Sequence, residues 1–388
     1  MKIEGYTYEK MLLELLSASI SQTPLTESLF RSASADDWNR CYFLAGQQGV
    51  TALAWKGVKA LPDELFPPLE IKLSWFLSTK KQELAYRKYC RAMTDLSDFF
   101  GRHGIATVQL KGVGFSQYYP DPMLREGGDI DIFTYAATNE GSRINEGSRT
   151  NEGSRINEGS RINEADEGAF RLANQLMTQQ GQTVEDDGCK HTVFHYQQIP
   201  VENHRKLINV YELQLAQQME PVLRQLLQPR PTRLLEDGQP ILTPSDAFNT
   251  VFIPLHAIQH YTRGLSLHHL CDWACLINRC GLHLPPEVNN PHFVQMIHDF
   301  TAFTNQYLGT TEAVTANAKH QEMLYLEVMR HTYSKTFHTT SRPKRMYLRL
   351  RHAIRYRLLM KKLLNEPFLT NCWHLFYRKM DSLRHPSA

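Results

Sequence analysis

Arg125-Glu126-Gly127-Gly128-Asp129-Ile130-Asp131-Ile132-Phe133 is the stretch that decides how the rest of this chain is read. From Asp129 to Phe133 acidic and apolar residues alternate, so in an extended strand both carboxylates point to one face while Ile130 and Ile132 point to the other. Two carboxylates held side by side repel, and a divalent cation between them relieves that repulsion. Mg²⁺ takes such oxygen ligands together with substrate phosphates, which is the core of two-metal phosphoryl-transfer chemistry.

Just upstream, the apolar, β-branched run from Gly104 to Leu110 reads as a strand that ends at Lys111-Gly112-Val113-Gly114. Glycines there let the backbone turn sharply and approach a phosphate, and a helix through Tyr118 and Tyr119 is expected to face its N-terminus to the anion. Lys111 adds a point charge at the same place.

In this order, Leu110-Lys111-Gly112, Tyr119-Pro120-Asp121-Pro122-Met123-Leu124-Arg125 and Asp129-Ile130-Asp131 resemble the signature of the nucleotidyltransferases that share the DNA polymerase beta catalytic fold. The likeness is greatest to the bacterial "uncharacterised nucleotidyltransferase" family, with its L-K-G, Y-P-x-P-x-x-R and D-I-D pattern. The wider superfamily has a Gly-Gly or Gly-Ser pair before the acids, where this chain has Lys111-Gly112 at a longer spacing. The resemblance implies an α+β fold, a small mixed β-sheet flanked by helical regions. It also implies Mg²⁺-dependent transfer of an NMP group from an NTP to an acceptor hydroxyl, through two ions held by Asp129 and Asp131. A third acid on a neighbouring strand is expected. Val201-Glu202-Asn203-His204-Arg205 fits the family's V-x-E-x-H-W-like segment except at Arg205, so Glu202 is the candidate and Glu212 the runner-up. Alternation places Glu202 and His204 on a shared face. Lys111, Gly112, Ser116 and Arg125 are the residues expected at the phosphates, Arg125 alternatively bracing the loop of Gly127 and Gly128.

A length of 388 residues allows two or three domains, and 42% hydrophobic with 21% charged residues describes an ordinary globular chain. Residues 1–103 read as an N-terminal helical region, 104–240 as the catalytic core and 241–388 as a C-terminal helical region. The N-terminus has no signal-like apolar segment and no run is long enough to span a bilayer, so a cytoplasmic protein is expected. The seven cysteines are an odd number scattered through helical or apolar segments, which suits free thiols. Cys271 and Cys275 beside His268 and His269 invite a zinc reading but lack a C-x-x-C pair.

Residues 69–103 have almost no glycine or proline and read as one or two long helices, with Leu73, Phe76, Leu84, Tyr86, Met93, Leu96 and Phe99 as their apolar positions. Asp95 and Asp98 read as solvated. Residues 138–168 hold a six-residue repeat, Asn-Glu-Gly-Ser-Arg-Ile/Thr, in four clean copies and a degenerate fifth. So little apolar surface cannot offset the entropy of ordering it, and near-identity between copies marks an insertion, read as a disordered loop. Two strands are expected at residues 191–196 and 199–204, with Pro200 at an edge position. Thr243-Pro244-Ser245-Asp246 signals a helix start, with proline at the first helical position. His256 and His260 follow at i and i+4, a metal-compatible spacing read as packing because no carboxylate or cysteine sits at the required offsets.

Residues 342–362 carry nine Lys and Arg and no acid, with Met346, Leu350, Ile354 and Leu358 recurring every four residues. This reads as a basic amphipathic helix, a candidate surface for RNA or an acidic partner, or equally a solvated face. The acceptor is therefore open between a small molecule, a protein and RNA. The alternative function is a non-catalytic nucleotide- or protein-binding module, motivated by Lys-Gly where the wider superfamily has its glycine pair.

Overall fold

The structure, a computed structural model, describes residues 5–137, 155–186, 190–210, 213–234, 240–261, 264–330 and 342–367. Helices come first: α1 (Thr7–Ser21), α2 (Glu27–Arg31), α3 (Ala35–Gln47), α4 (Thr51–Val58) and the long α5 (Leu69–Gly101). Strand β1 (Ile105–Gln109), the one-turn α6 (Gly112–Phe115), β2 (Ile130–Ala136) and α7 (Arg155–Gln179) follow. Next are β3 (Glu185–Asp186), β4 (His191–Tyr196), β5 (Ile199–His204), α8 (Gln214–Leu226), β6 (Arg230–Thr232) and β7 (Ile241–Thr243). The described chain closes with α9 (Asp246–His260), α10 (Leu267–Cys280), α11 (Pro291–Tyr307), α12 (Ala318–Arg330) and α13 (Arg342–Leu364).

The strands form one seven-stranded sheet in the order β3-β4-β5-β2-β1-β7-β6. It is mixed: β1 runs antiparallel to β2 and parallel to β7, while β2 runs parallel to β5. The fold is α+β, as the resemblance implied. Strands β4 and β5 form a hairpin whose turn residues Gln197 and Gln198 both have positive φ, 50° and 64°, the twist that a two-residue hairpin requires.

Alternation sorts the sheet's two faces. Ile130, Ile132, Phe194 and Val201 pack on the second half of α5, through Tyr86, Met93 and Phe100, and on Ala173 and Met177 of α7. The opposite face, with Phe133 and Tyr135, meets a larger helical core shared by both ends of the chain, from Leu12 and Trp55 to Phe252, Trp273 and Phe300. Polar groups buried between those ends are paired. The Gln48 side chain accepts from the Leu267 amide at 2.7 Å and donates to the Val328 carbonyl at 2.8 Å, and Tyr325 donates to Glu9 at 2.9 Å.

Several expectations change in detail. α7 begins at Arg155, inside the repeat, so helix replaces the expected loop from there on, while 138–154 lie outside the described residues. Pro200 sits in an interior strand, but the ladder from β5 to β2 starts only at Val201, so the missing N–H falls beyond it. Ser245, not Thr243, caps α9 by accepting from the Phe248 amide, which leaves Pro244 ahead of the helix. Helix α9 then continues through Pro254. The segment after Lys111 is a single α-turn followed by a 3-10 turn over Ser116–Tyr118, not one helix to Tyr119. In the first half of α5, Leu73, Phe76 and Leu84 are exposed, and Trp75 is the buried apolar residue. Among the described cysteines, Cys41, Cys90, Cys271, Cys275 and Cys280 are free thiols.

In α13 the recurrent stripe is not the packed face. Leu350, Ile354 and Leu358 are 61%, 45% and 56% exposed, whereas Tyr356, Met360 and Leu363 are buried. Among the described residues no helix is long and apolar enough to cross a membrane.

Candidate functional site

The parallel register of β2 and β5 sets Asp131 directly opposite Glu202 and Phe133 opposite His204. Asp129 immediately precedes β2. Because β4 pairs His191 with His204, the face that carries the acids also carries two imidazoles. His204 Nε2 lies 3.0 Å from Asp131 Oδ1 and 3.5 Å from Glu202 Oε2, and His191 Nδ1 lies 3.5 Å from that same glutamate oxygen. Alternation set Glu202 and His204 on a shared face, and the strand pairing brings that face to Asp131. His191 went unnoticed because only the hairpin register brings it there.

The electrostatics follow from this crowding. Burial, then the charges of Asp131 and Glu202, push the Asp129 carboxyl up to about 6, against the pull of Lys111 and Arg125. Burial also disfavours the charged form of Asp131, but its hydrogen bond to His204 and the nearby charges of His204, Lys190 and Lys111 hold it well below the usual carboxylate range. Burial and Lys190 work against an imidazolium at His204, and the bonds to Asp131 and Glu202 outweigh them, so its pKa rises.

On the other side stands the Lys111 loop. Gly112 has φ +65°, and a Cβ there would come within 2.4 Å of Gln109 Nε2 and 3.8 Å of the Asp129 carbonyl oxygen. Gln109 is itself fixed by the Gly114 amide, which donates to its Oε1 at 2.8 Å. Glycine is therefore needed for the positive φ, and a side chain there would also collide with the Gln109 amide. The buried Lys111 ammonium lies 3.7 Å from Asp272 Oδ2 on α10. Burial, helped by Arg125, lowers its pKa, with Asp272, Asp131 and Asp129 opposing.

Arg125 is committed. It donates through Nε and Nη2 to the two oxygens of Asp272, each at 2.8 Å, and through Nη1 to the Gly112 carbonyl at 3.3 Å. That geometry is a brace between α10 and the turn at Gly112, a different turn from the Gly127–Gly128 loop. Tyr119 completes the arrangement by donating to Asp272 Oδ1 at 2.7 Å. Asp272, 1% exposed, accepts from all of them, and its pKa falls far because Arg125, His268 and Lys111 outweigh its burial. The Ser116 hydroxyl donates to the Val113 carbonyl at 2.5 Å and lies 3.2 Å from Tyr86 Oη, and its residue lines a narrow cleft with Gly112, Arg125, Gly127 and Asp129. Helix α5 walls this cleft and pins its loop: Gln82 donates to the Arg125 carbonyl and Tyr89 to the Gly128 carbonyl. Glu212 lies outside the described residues.

Residues 34–140 and 165–313 match the family described as an uncharacterised nucleotidyltransferase. The chain belongs to that family. The two matched regions leave out 141–164, the interval that holds most of the repeat, and together they span all the elements that build the site. No curated protein and no solved structure matches the chain. Membership supports a general nucleotidyltransferase role, which implies a nucleotide substrate, and Asp272 is inside the matched region.

Proposed function

We propose that the chain transfers an NMP group from an NTP to an acceptor hydroxyl, with Asp129, Asp131 and Glu202 as ligands for two Mg²⁺ ions. The observation that carries this reading is the β2–β5 register, which gathers three carboxylates at one end of the sheet beside Lys111. The donor set fits the ions: it is all oxygen, and the Asp129 pKa is raised first by burial and then by the negative charge of Asp131 and Glu202, which Lys111 and Arg125 only partly offset. Bound there, Mg²⁺ supplies activation of the acceptor hydroxyl and neutralisation of charge on the triphosphate.

The protein's own groups do the rest. Lys111 binds phosphate oxygen as a point charge, and Asp272 holds that lysine in place. Arg125 keeps the Gly112 turn against Asp129, so the backbone at the phosphates does not shift when substrate binds. His204 orients Asp131 and Glu202 relative to each other. Ser116 supports the turn from behind through the Val113 carbonyl.

A second reading, nucleotide binding without turnover, draws on one observation: His204 already satisfies Asp131 and approaches Glu202, so a protonated imidazole offsets part of the charge a cation would. One experiment separates the two. The four NTPs are titrated into the chain with and without Mg²⁺, and pyrophosphate release is followed over a panel of acceptor hydroxyls. Transfer requires Mg²⁺-dependent binding and pyrophosphate release, both lost in Asp129→Asn and Asp131→Asn with the fold intact. Unchanged Mg²⁺ dependence in both variants rules the metal site out, and tight binding with no release on any acceptor favours the second reading.

A further inference from the structure

Helices α9 and α10 bring together three histidines that the proposed transfer does not use. His256 and His260 lie one turn apart on α9, so they share a face, and His269 arrives from the first turn of α10. One ring nitrogen from each lies within 4.8 Å of the other two. The ring centroids are 4.6 Å apart for His256 and His260, 4.8 Å for His260 and His269, and 5.8 Å for His256 and His269. The packing reading of the α9 pair rested on the lack of a third ligand nearby in sequence. The fold supplies one from the next helix.

We propose that His256, His260 and His269 bind a Zn²⁺ ion through three imidazole nitrogens, leaving a fourth position open. Three nitrogens and no carboxylate make a poor site for Mg²⁺, which takes oxygen, and a good one for Zn²⁺, which tolerates three histidines plus a water or substrate oxygen. All three residues are half-buried rather than sealed, so the fourth position is reachable. Burial, with Lys111 and the neighbouring imidazoles adding to it, holds His256 and His269 well below the usual histidine range, so both present lone pairs at neutral pH. Coordination through Nε2 of His269 leaves its Nδ1–H to donate to Ser266 Oγ, 3.0 Å away, the kind of outer bond that fixes a ligating imidazole. That proton displaces the present contact in which the Ser266 amide approaches Nδ1 at 3.2 Å. The Lys111 ammonium nearby disfavours a second cation, and an anionic oxygen in the open position offsets it.

The ion would act on the phosphate site through α10. Asp272 follows His269 by three residues, one turn of the same helix, and Asp272 fixes both Lys111 and Arg125. Zn²⁺ clamping α9 to α10 therefore sets the position of the helix that sets the lysine. This is a positioning site, and it stands whether or not the carboxylates perform nucleotidyl transfer.

The test uses the full chain, stripped with a chelator and titrated with Zn²⁺ and separately with Co²⁺ as a visible probe. One tight equivalent of Zn²⁺ is expected, with intense tetrahedral-type Co²⁺ absorption. Losing one supporting hydrogen bond weakens metal sites by about 10–100-fold, so His260→Gln and His269→Gln, each losing a ligand, should weaken Zn²⁺ binding by more than about 100-fold. Far-UV circular dichroism should be unchanged, and Asp129→Asn and His191→Gln should keep the equivalent. Absence of a tight equivalent, weak octahedral-type Co²⁺ bands, or binding that survives both histidine variants overturns the proposal. So does binding lost in His191→Gln but kept in the other two, which would move the ion to the β-sheet face. Should the histidine variants fail to fold, the Co²⁺ spectrum of the unaltered chain decides between these outcomes.

Discussion

Asp272 accepts from Arg125 and Tyr119 while standing 3.7 Å from the Lys111 ammonium, so a single buried carboxylate sets the position of three partners. Replacing it with asparagine leaves Arg125 buried without a counter-charge, which costs roughly 3–5 kcal/mol. Urea unfolding of Asp272→Asn should show that loss, and a change below about 1 kcal/mol would mean the pair contributes little, as exposed pairs do. The pH sign follows from the direction of the shift. The folded pKa of Asp272 is depressed, so its stabilisation is complete above its unfolded value near ~3.9 and is lost as pH falls through the lower folded value. Stability of the unaltered chain should therefore drop on acidification below about pH 4, and Asp272→Asn should lose that part of the drop. Asp129 behaves in the opposite sense, because its folded pKa is raised to about 6 and its proton competes with a cation for the carboxylate. Mg²⁺ affinity should be flat above neutrality and weaken by close to tenfold per unit below about pH 6, read by Mg²⁺ titration across that range. A flat profile would mean that Asp129 is not a ligand.

At the scale of elements, the strand face was legible and the helix faces were only partly so. Period-two alternation put Glu202 and His204 on one face because a strand's side chains have only two directions to choose from, and the strand pairing then sets that face beside Asp131. Helix α13 misled because periodicity reports that a face exists, not which body covers it. Its regular stripe of Leu350, Ile354 and Leu358 stays exposed while Tyr356 and Met360 enter the core. Met360→Ala should therefore cost about 2–5 kcal/mol in denaturant unfolding and Leu358→Ala well under 1 kcal/mol. Equal losses would restore the stripe as the packed face. The glycine turn makes a different demand. With φ +65° and Gln109 Nε2 where a Cβ would go, Gly112→Ala should cost on the order of 1–3 kcal/mol and shift the Lys111 turn away from Asp129. NTP binding should weaken more than stability alone explains, measured at temperatures where the variant remains folded.

At the scale of the whole molecule, the sheet's neighbours could be guessed from local patterns, but the partnership between the chain's two ends could not. Gln48 bonds across more than 200 residues to Leu267 and Val328, and nothing in its surroundings in sequence marks it as buried. Long-range contact of the same kind brought Asp272 to Arg125, 147 residues away in sequence. Composition did mark the repeat, and the family match breaks across 141–164. Removing two copies, residues 141–152, should leave melting temperature and nucleotide binding unchanged. The shared core makes a stronger demand. Helices α1, α3 and α4 contribute Leu12, Leu15, Leu16, Cys41, Leu53 and Trp55 to the cluster that also holds Phe252, Trp273 and Phe300, and α5 crosses from this core into the one beneath the sheet. Residues 104–388 alone would expose that apolar surface along α10 and α11 and lose the α5 wall of the candidate site. Since a domain's net stability is only about 5–15 kcal/mol, losing several fully buried side chains at ~1.5–3 kcal/mol each exceeds what the fragment can absorb. The fragment should bind a hydrophobic dye, unfold without a cooperative transition and fail to bind NTP. A cooperative, dye-silent fragment would show instead that the N-terminal helices are a separable domain resting on a core complete without them.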